Sequence, residues 1–252
     1  MGMAARAGID QSTDAPPAPV VGTGSRAPSL RRSLREAAVD AYFNSWRLIP
    51  ANLAWGATLI AILALGAAFT PALLLLGLLA IPLAGVHRMA ALISRGEPVA
   101  LSDFTDGVRR GGLSAAVVGL GAMSVAAMMV TNVLIGFNAG GPLGWFLGTS
   151  ALYGLVALAA ILVAFWPILA DPHREGLALR RQLALAGLVV VGRPGRTLAL
   201  TVVIGVILVV SIVLLAAIAL IGVAYASLVA SRYVLPLVDA VEAQAAEGRV
   251  SR

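Results

Sequence analysis

The sequence contains no cysteine and no lysine, and it carries little charge of either sign. Only 12% of its 252 residues are charged, about half the ~25% that is usual in soluble domains. Without cysteine the chain forms neither disulfides nor thiolate metal sites, and it has no cysteine nucleophile. Without lysine it cannot form a nucleotide-binding phosphate loop, because that loop requires a lysine. The composition therefore excludes an ordinary soluble domain.

Long apolar runs make up most of the chain. Hydrophobic residues account for 60% of it, and the mean hydropathy is +0.93. The Asp, Glu and Arg residues fall into four blocks, separated by charge-free stretches over residues 48–87, 111–170 and 197–231. About 20 apolar residues in a helix cross the ~30 Å hydrocarbon core, so stretches of 40, 60 and 35 residues each allow two crossings. The sequence predicts an all-α integral membrane bundle of six transmembrane helices, arranged as three hairpins.

Breaks within the charge-free stretches set the expected limits of the helices. Phe69-Thr70-Pro71 divides the first stretch, and the turn signal from Asn138 to Pro142 divides the second. The third contains only Gly222 as a weak breaker, so one long helix over 197–237 remains an alternative to two. The six predicted helices are Leu48–Ala68, Pro71–Ser94, Leu113–Phe137, Trp145–Ala170, Thr197–Ala217 and Leu220–Leu237.

The charge pattern also predicts how the chain is oriented. Paired hairpins place all four charged blocks on one face of the membrane, and short loops rich in arginine stay in the cytoplasm. We therefore expect a multi-pass protein of the inner (plasma) membrane with both termini cytoplasmic. Because topology accounts for the net charge of +6, we expect the lipid bilayer, and not nucleic acid, to be the main partner. The sequence does not indicate an oligomeric state.

Four regions follow from this pattern. Residues 1–29 are rich in Pro, Gly, Ser and Ala, a composition typical of a disordered tail. Residues 30–47 are predicted to form an amphipathic helix in the headgroup region. The six-helix transmembrane domain then covers 48–240, and 241–252 form a short cytoplasmic tail.

Two further helices are expected in the charged blocks. One spans Leu177–Val191, where polar residues interrupt an apolar run. The other is short and ends at Arg110, with Ser102 as its N-cap and Asp103 in its first turn.

A search for chemistry identifies no catalytic, metal-binding or cofactor-binding residues. The two histidines, His87 and His173, lack partners at metal-ligand spacing. We expect His87 and the adjacent Arg88 to reach water at the cytoplasmic end of the second helix. The charge-free stretches offer only uncharged polar groups, of which Asn52 and Asn132 are the candidate intramembrane sites. Asn132 is expected to form a hydrogen bond between helices, with ligand binding as the alternative.

Small residues at a spacing of four are typical of close contacts between membrane helices. Gly144-x-x-x-Gly148 and Ala115-x-x-x-Gly119 have this spacing. We expect them to let helix backbones approach closely.

The order of several short motifs supports a family resemblance. They are Tyr42-Phe43-Asn44-Ser45-Trp46, Pro82 with Ala84 and Gly85, Arg88, Arg95-Gly96-Glu97, Asp103-Phe104 and Trp166-Pro167. From about Leu34 to Val241 the chain resembles the bacterial YesL-like family, a set of small membrane proteins defined as a domain of unknown function. The resemblance implies an association with carbohydrate-uptake systems, and it implies no catalytic residues.

The sequence leaves three hypotheses about function. The first is a non-enzymatic accessory or permease-like component linked to carbohydrate transport. Its cytoplasmic element would dock a transport subunit through Arg95, Glu97, Asp103, Arg109 and Arg110. The alternative for these residues is a solvated loop. The second is a membrane enzyme or redox protein acting on a lipid or quinone-like substrate through His87, Arg88, His173 and Asp171. The third is a structural or regulatory protein that binds anionic lipid through its arginines.

The predicted orientation can be tested with reporter fusions. A compartment-sensitive reporter inserted at Gly140 is expected outside the cytoplasm, whereas reporters at Gly176 and at the carboxyl terminus are expected inside it. The reason is that arginine-rich loops resist translocation and the turn at Gly140 carries no charge. Reporters at Gly140 and the carboxyl terminus that respond from the same compartment would contradict the hairpin topology.

Overall fold

The computed structural model describes residues 29–213 and 221–250, and every regular element in these ranges is helical. The predicted tail therefore lies outside the described residues except for Ser29. The elements are α1 (Leu30–Phe43), α2 (Ser45–Ala68), a 3-10 helix (Thr70–Leu79) that continues into α3 (Ala80–Ser94), α4 (Leu101–Ala139), α5 (Gly141–Ala170), a 3-10 turn (Pro172–Arg174), α6 (Leu179–Gly192), α7 (Pro194–Val213) and α8 (Val223–Val250).

Six of these helical stretches are long and apolar enough to cross a membrane. They are Ser45–Ala68, Thr70–Ser94, Leu101–Ala139, Gly141–Ala170, Pro194–Ser211 and Val223–Glu247. The predicted all-helical class is thus confirmed for the described residues, and so is the number of apolar spans. The spans are those of a multi-pass membrane protein.

The predicted breaks coincide with the observed ends of the helices. Phe69, in an extended conformation, separates α2 from the 3-10 helix. Gly140 separates α4 from α5, with φ of +63° at Gly140 and +68° at Gly141, a region that favours glycine because it lacks a Cβ. The third charge-free stretch contains two helices, since α7 packs against α8. The connection between them, 214–220, lies outside the described residues.

The helices predicted outside the apolar stretches are also present, with two corrections. The helix predicted over 30–47 ends at Phe43, and residues 45–47 form the start of α2. α1 begins after Ser29, whose hydroxyl accepts a hydrogen bond from the Arg32 amide at 3.3 Å, and α6 matches the helix predicted at Leu177–Val191. The separate short helix ending at Arg110 was a wrong prediction. α4 runs without interruption for 39 residues, about 58 Å at the usual rise.

Packing explains why α4 continues through several glycines. A Cβ at Gly107 would lie 2.8 Å from the Cα of Gly85 on α3, so this glycine serves a close contact between helices and does not mark a helix end. Ser102 lies inside α4 and is not its N-cap. The Asp103 carboxylate instead accepts a hydrogen bond from the amide of Ala100, the N-cap residue, at 2.7 Å, as N3 acids do at the start of helices.

α8 is the central helix of the bundle. In its apolar window 72% of the residues are buried, whereas the corresponding share in α4 is 11%. α8 packs against α1, α2, α3, α5, α6 and α7, and it supplies Tyr233, Leu228, Leu235, Val229 and Val234 to the buried core. It extends to Val250, beyond residue 240, where the transmembrane domain was predicted to end. α4 lies at the periphery with much of its apolar surface exposed.

Glycines at helix crossings confirm the predicted role of the small residues. A Cβ at Gly136 of α4 would lie 2.5 Å from the amide nitrogen of Gly148 and 2.7 Å from the carbonyl oxygen of Gly144. A Cβ at Gly119 would lie 2.5 Å from the Cβ of Ala80 and would meet the carbonyl oxygen of Gly77. Backbone atoms cannot move aside as flexible side chains do, so these positions require glycine.

Two glycines of α4 provide a matched test of this packing. Gly119→Ala is expected to destabilise the protein by about 1–3 kcal/mol, because the added methyl group overpacks the crossing with the 3-10 helix. Gly121→Ala is expected to be neutral or slightly stabilising, since a Cβ there meets nothing within 4 Å and alanine favours helix. Thermal unfolding in detergent, followed by tryptophan fluorescence, measures both. Equal melting temperatures for the two variants would contradict the close approach at Gly119.

Candidate functional site: an ion-pair cluster along α8

Charged side chains from three of the four blocks meet beside the C-terminal half of α8. Asp171 is the first residue after α5 and is completely buried, with 0% of its surface exposed. Pro172 follows it and favours an extended conformation at the preceding residue, and Asp171 has a ψ of 117°. The helix therefore ends here and turns the Asp171 carboxylate into the protein.

The Asp171 carboxylate receives several hydrogen bonds. Arg95, which follows α3, donates to both of its oxygens, from Nε at 3.1 Å and from Nη2 at 2.6 Å. Arg174 donates to Oδ2, and the amide of His173 donates to Oδ1 at 3.2 Å. A buried carboxylate is tolerated only when it is paired and hydrogen-bonded, and the two-point contact with Arg95 is among the strongest geometries available.

Arg174 links this carboxylate to α8. It is buried, and its Nη2 lies 2.5 Å from Oδ1 of Asp239 and 2.8 Å from Oε2 of Glu242. Arg95 also reaches Asp239, at 3.3 Å. Two arginines thus hold three carboxylates and connect the ends of α3 and α5 to α8. We call Arg95, Asp171, Arg174, Asp239 and Glu242 the central cluster.

Both arginines of the central cluster keep their charge. Burial lowers the pKa of the Arg95 guanidinium, but the hydrogen bonds and negative charge of Asp171 outweigh it, so the pKa is raised. For Arg174 burial is again opposed, chiefly by hydrogen bonds to Asp239 and Glu242, and its pKa is raised as well. The central cluster therefore retains two positive charges over the whole physiological pH range.

Glu175 forms a second group of ion pairs next to the central cluster. It pairs with Arg88 of α3 and, at 3.0 Å, with Arg110 of α4. Burial raises the pKa of its carboxyl, but the hydrogen bonds and positive charges of Arg88 and Arg110 outweigh this and lower it. The three side chains border a polar cavity of about 390 Å³, which Gln182 also lines.

The polar cavity contains two buried atoms without hydrogen-bond partners in the described part of the chain. They are the Nε atom of Arg88 and the Oε1 atom of Gln182. A donor and an acceptor are therefore available to a small polar molecule, next to two guanidinium groups and one carboxylate. The described residues that line the cavity thus provide polar groups suited to such a molecule.

A third group of ion pairs joins α1 to α8. Arg232 lies 2.5 Å from Oδ2 of Asp40 and 3.0 Å from Oε2 of Glu36 on α1. Glu36 also accepts a hydrogen bond from Arg32 at 2.7 Å, and this bond is the largest cause of the lowered pKa of its carboxyl. Ion pairs thus link all four charged blocks of the sequence.

Four of the five predicted docking residues make contacts within the molecule. Arg95 belongs to the central cluster, Glu97 lies 2.8 Å from the imidazole of His173, Asp103 binds the start of α4, and Arg110 pairs with Glu175. Arg109 is exposed, and in the described ranges no carboxylate lies within ion-pair distance of it. Docking of a partner stays a prediction.

The two candidate intramembrane asparagines occupy different environments. Asn52 is completely buried, and its Oδ1 accepts a hydrogen bond from the amide of Ala224 at 3.0 Å. This hydrogen bond fixes α2 against the first turn of α8. Asn132 is half-buried on α4, and its predicted hydrogen bond between helices stays a prediction.

The expectation that His87 and Arg88 reach water was wrong. His87 is only 6% exposed and lines an apolar cleft, while Arg88 turns toward Glu175. α3 continues to Ser94, so both residues lie about two turns inside the helix and are covered by its neighbours. Of the four residues considered for an enzyme, Asp171 and His173 contact each other, through the His173 amide. Arg88 pairs with Glu175 and His87 lines the apolar cleft, so the four do not form one constellation.

Sequence reasoning missed Arg174, Asp239 and Glu242 as members of a site. One signal was present, because Asp239 and Glu242 are spaced i, i+3 and share a helix face. Their pairing with Arg174 depends on how α5 and α8 pack, which the sequence pattern does not contain.

Comparisons with known proteins add no relative. No protein-family model, no curated protein and no solved structure matches the chain. The resemblance to the YesL-like family therefore stays a prediction. Within residues 29–213 and 221–250, no group of three or more His, Asp or Glu side chains is placed to hold a metal ion.

The central cluster leads to a prediction about stability. Arg174→Met is expected to destabilise the protein by about 3–5 kcal/mol, because it leaves buried carboxylates without their partner. The double variant with Arg174→Met and Asp171→Asn should recover part of the lost stability, since it no longer carries a buried Asp171 carboxylate charge without its Arg174 partner. Arg180→Met is the matched control at an exposed arginine, where about 0.5 kcal/mol or less is expected. Thermal unfolding in detergent that shows no difference between Arg174→Met and Arg180→Met would refute the role given to the cluster.

Proposed function

We propose that the chain is a plasma-membrane protein with both termini in the cytoplasm, serving as a non-enzymatic accessory or permease-like component of a transport system. The observation that carries the proposal is the linkage of all four charged blocks by ion pairs, while the three stretches between them are uncharged. The charged side chains therefore lie at one end of the bundle, and the uncharged apolar helices that make up the remainder can lie in lipid. Arginine-rich segments of this kind remain on the cytoplasmic side, with the six helices paired as three hairpins.

Exposed apolar side chains support a position within the bilayer. α4 and α5 expose Leu113, Leu134, Leu143 and Phe146, which in water would form an unusually large apolar patch. In a bilayer these residues contact acyl chains. α1 exposes Tyr42 and the first turn of α2 exposes Trp46, as expected for residues at the headgroup region.

A partner would meet a surface of unpaired arginines. Across the described ranges, seven exposed arginines lie beyond ion-pair distance of any carboxylate: Arg31, Arg35, Arg109, Arg180, Arg181, Arg193 and Arg196. Arg110 and Gln182 line the same polar cavity, which brings the first part of α4 near the start of α6. Arg109 and Arg181 are their neighbours in sequence. The docking surface proposed here is Arg109, Arg180 and Arg181, and its positive charge calls for an acidic partner surface.

The internal ion pairs give this docking surface its rigidity. Arg110 next to Arg109 is held by Glu175, and the segment leading into α6 is held through Arg174. A surface whose backbone is already fixed loses less conformational entropy on binding. The link to a transport system, for carbohydrates in particular, comes from the resemblance to the YesL-like family, and the docking surface supplies the place where a transport subunit would bind.

Affinity purification tests the docking surface. The tagged full-length protein, extracted from native membranes in mild detergent, is expected to recover a transport permease or ATPase. Arg109→Glu combined with Arg180→Glu and Arg181→Glu should reduce that recovery at least tenfold, whereas reversal of Arg31 and Arg35 on α1 should leave it unchanged. Failure of the wild-type protein to recover a transport component would count against the proposal. If the charge reversals weaken only the binding of the protein to vesicles of anionic lipid, the same arginines would be assigned to the membrane surface.

A further inference from the structure

An apolar cleft lies within the membrane-spanning part of the protein, away from the ion pairs. It has a volume of about 500 Å³ and is lined by residues of α2, α3, α5, α7 and α8, a size typical of sites for small organic molecules. Its walls include the rings of Trp55 and Trp166 and the aliphatic side chains of Leu83 and Leu208. No Asp, Glu or Arg side chain lines the cleft in the described part of the protein.

Two polar groups of the cleft have no hydrogen-bond partner among the described residues. They are Nδ1 of His87 and Nε1 of Trp55, and both atoms are buried. The His87 side chain as a whole is more than nine-tenths buried. By contrast, the hydroxyl of Ser227, which also lines the cleft, donates to the Val223 carbonyl at 2.9 Å. A buried polar group left unpaired costs about 1–3 kcal/mol, and water is scarce at this depth in a bilayer.

We propose that this cleft binds an uncharged, lipid-soluble molecule that carries a hydrogen-bond-accepting oxygen and an apolar chain or ring. The indole of Trp55 is a donor only and calls for an acceptor such as a carbonyl or hydroxyl oxygen. His87 calls for the same acceptor in the tautomer that carries its proton on Nδ1. A charged head group would find no counter-ion here, because the nearby Arg88 is engaged by Glu175. The two tryptophan rings and the aliphatic walls accommodate the apolar part.

The surroundings of the cleft provide an entrance from the lipid. Leu59, Leu162 and Leu208 on its walls are partly exposed, so the cleft is open at the side of the bundle and not sealed within it. A ligand of this class is dissolved in the bilayer and can enter laterally without crossing water. This inference goes beyond the proposed transport role and does not depend on it.

The four tryptophans of the chain allow the binding to be measured directly. Trp55 and Trp166 line the cleft, whereas Trp46 and Trp145 are 67% and 60% exposed elsewhere. The probe is a 1,4-naphthoquinone with a decyl chain, which quenches tryptophan fluorescence, added to the full-length protein in lipid nanodiscs. With Trp46→Phe and Trp145→Phe, quenching is expected to saturate. With Trp55→Phe and Trp166→Phe, only unsaturable quenching by probe dissolved in the lipid is expected.

Substitution of His87 tests the hydrogen bond separately from the fold. His87→Leu is expected to weaken probe binding on the order of tenfold, the loss of about one hydrogen bond. The same change removes an unpaired buried group, so the melting temperature without probe should be unchanged or higher. Leu83→Met, an apolar control on the same wall, should retain the affinity. Decanol should displace the probe, whereas decane, which has no oxygen, should not.

Three results would overturn the assignment. Unsaturable quenching in both tryptophan variants would show that the probe only partitions into lipid. Unchanged affinity in His87→Leu would remove the role of the imidazole. Displacement by decane as effective as that by decanol would show that the cleft holds ordinary acyl chains without recognising an oxygen.

Discussion

The rest of the structure depends on the neutralisation of one buried carboxylate, that of Asp171. A carboxylate without exposure to solvent is strongly unfavourable unless its partners are held in place. Those partners, Arg95 and Arg174, come from the segments after α3 and after α5, and they also bind Asp239 and Glu242 on α8. The loops at the charged end are therefore positioned by the requirement to satisfy Asp171, although the chain there contains little regular structure of its own.

Different forces act in the apolar part of the bundle. A leucine side chain is in an equally apolar environment whether it contacts lipid tails or another helix. The hydrophobic effect therefore contributes little to the association of helices within a membrane. Contacts at Gly119 and Gly136 bring backbones together at fixed points, and the hydrogen bond from Ala224 to Asn52 fixes α2 against α8. These few specific contacts, together with the ion pairs, determine which helices are neighbours.

The sequence predicted local properties well and long-range pairing poorly. The six apolar spans and the breaks at Phe69 and Gly140 follow from the length, charge and turn residues of short segments. The predicted start of α4 was wrong because the helix continues through Gly111 and Gly112. Gly112 packs against Ile81 of α3, a contact that no local pattern reveals. The central cluster could not be predicted because it pairs residues 76 positions apart, as Arg95 and Asp171 are, or 144 apart, as Arg95 and Asp239 are.

The apolar cleft and the ion pairs are connected through α3 and α8. Adjacent residues of α3 face the two regions, since His87 lines the cleft while Arg88 binds Glu175. α8 supplies Ala226 and Ala230 to the wall of the cleft and Asp239 to the central cluster. In a lipid environment an apolar cleft has little tendency to collapse, so its shape depends on how firmly its walls are held. The ion pairs hold both of these walls, and a charged cluster outside the cleft thereby maintains a binding space that contains no charge.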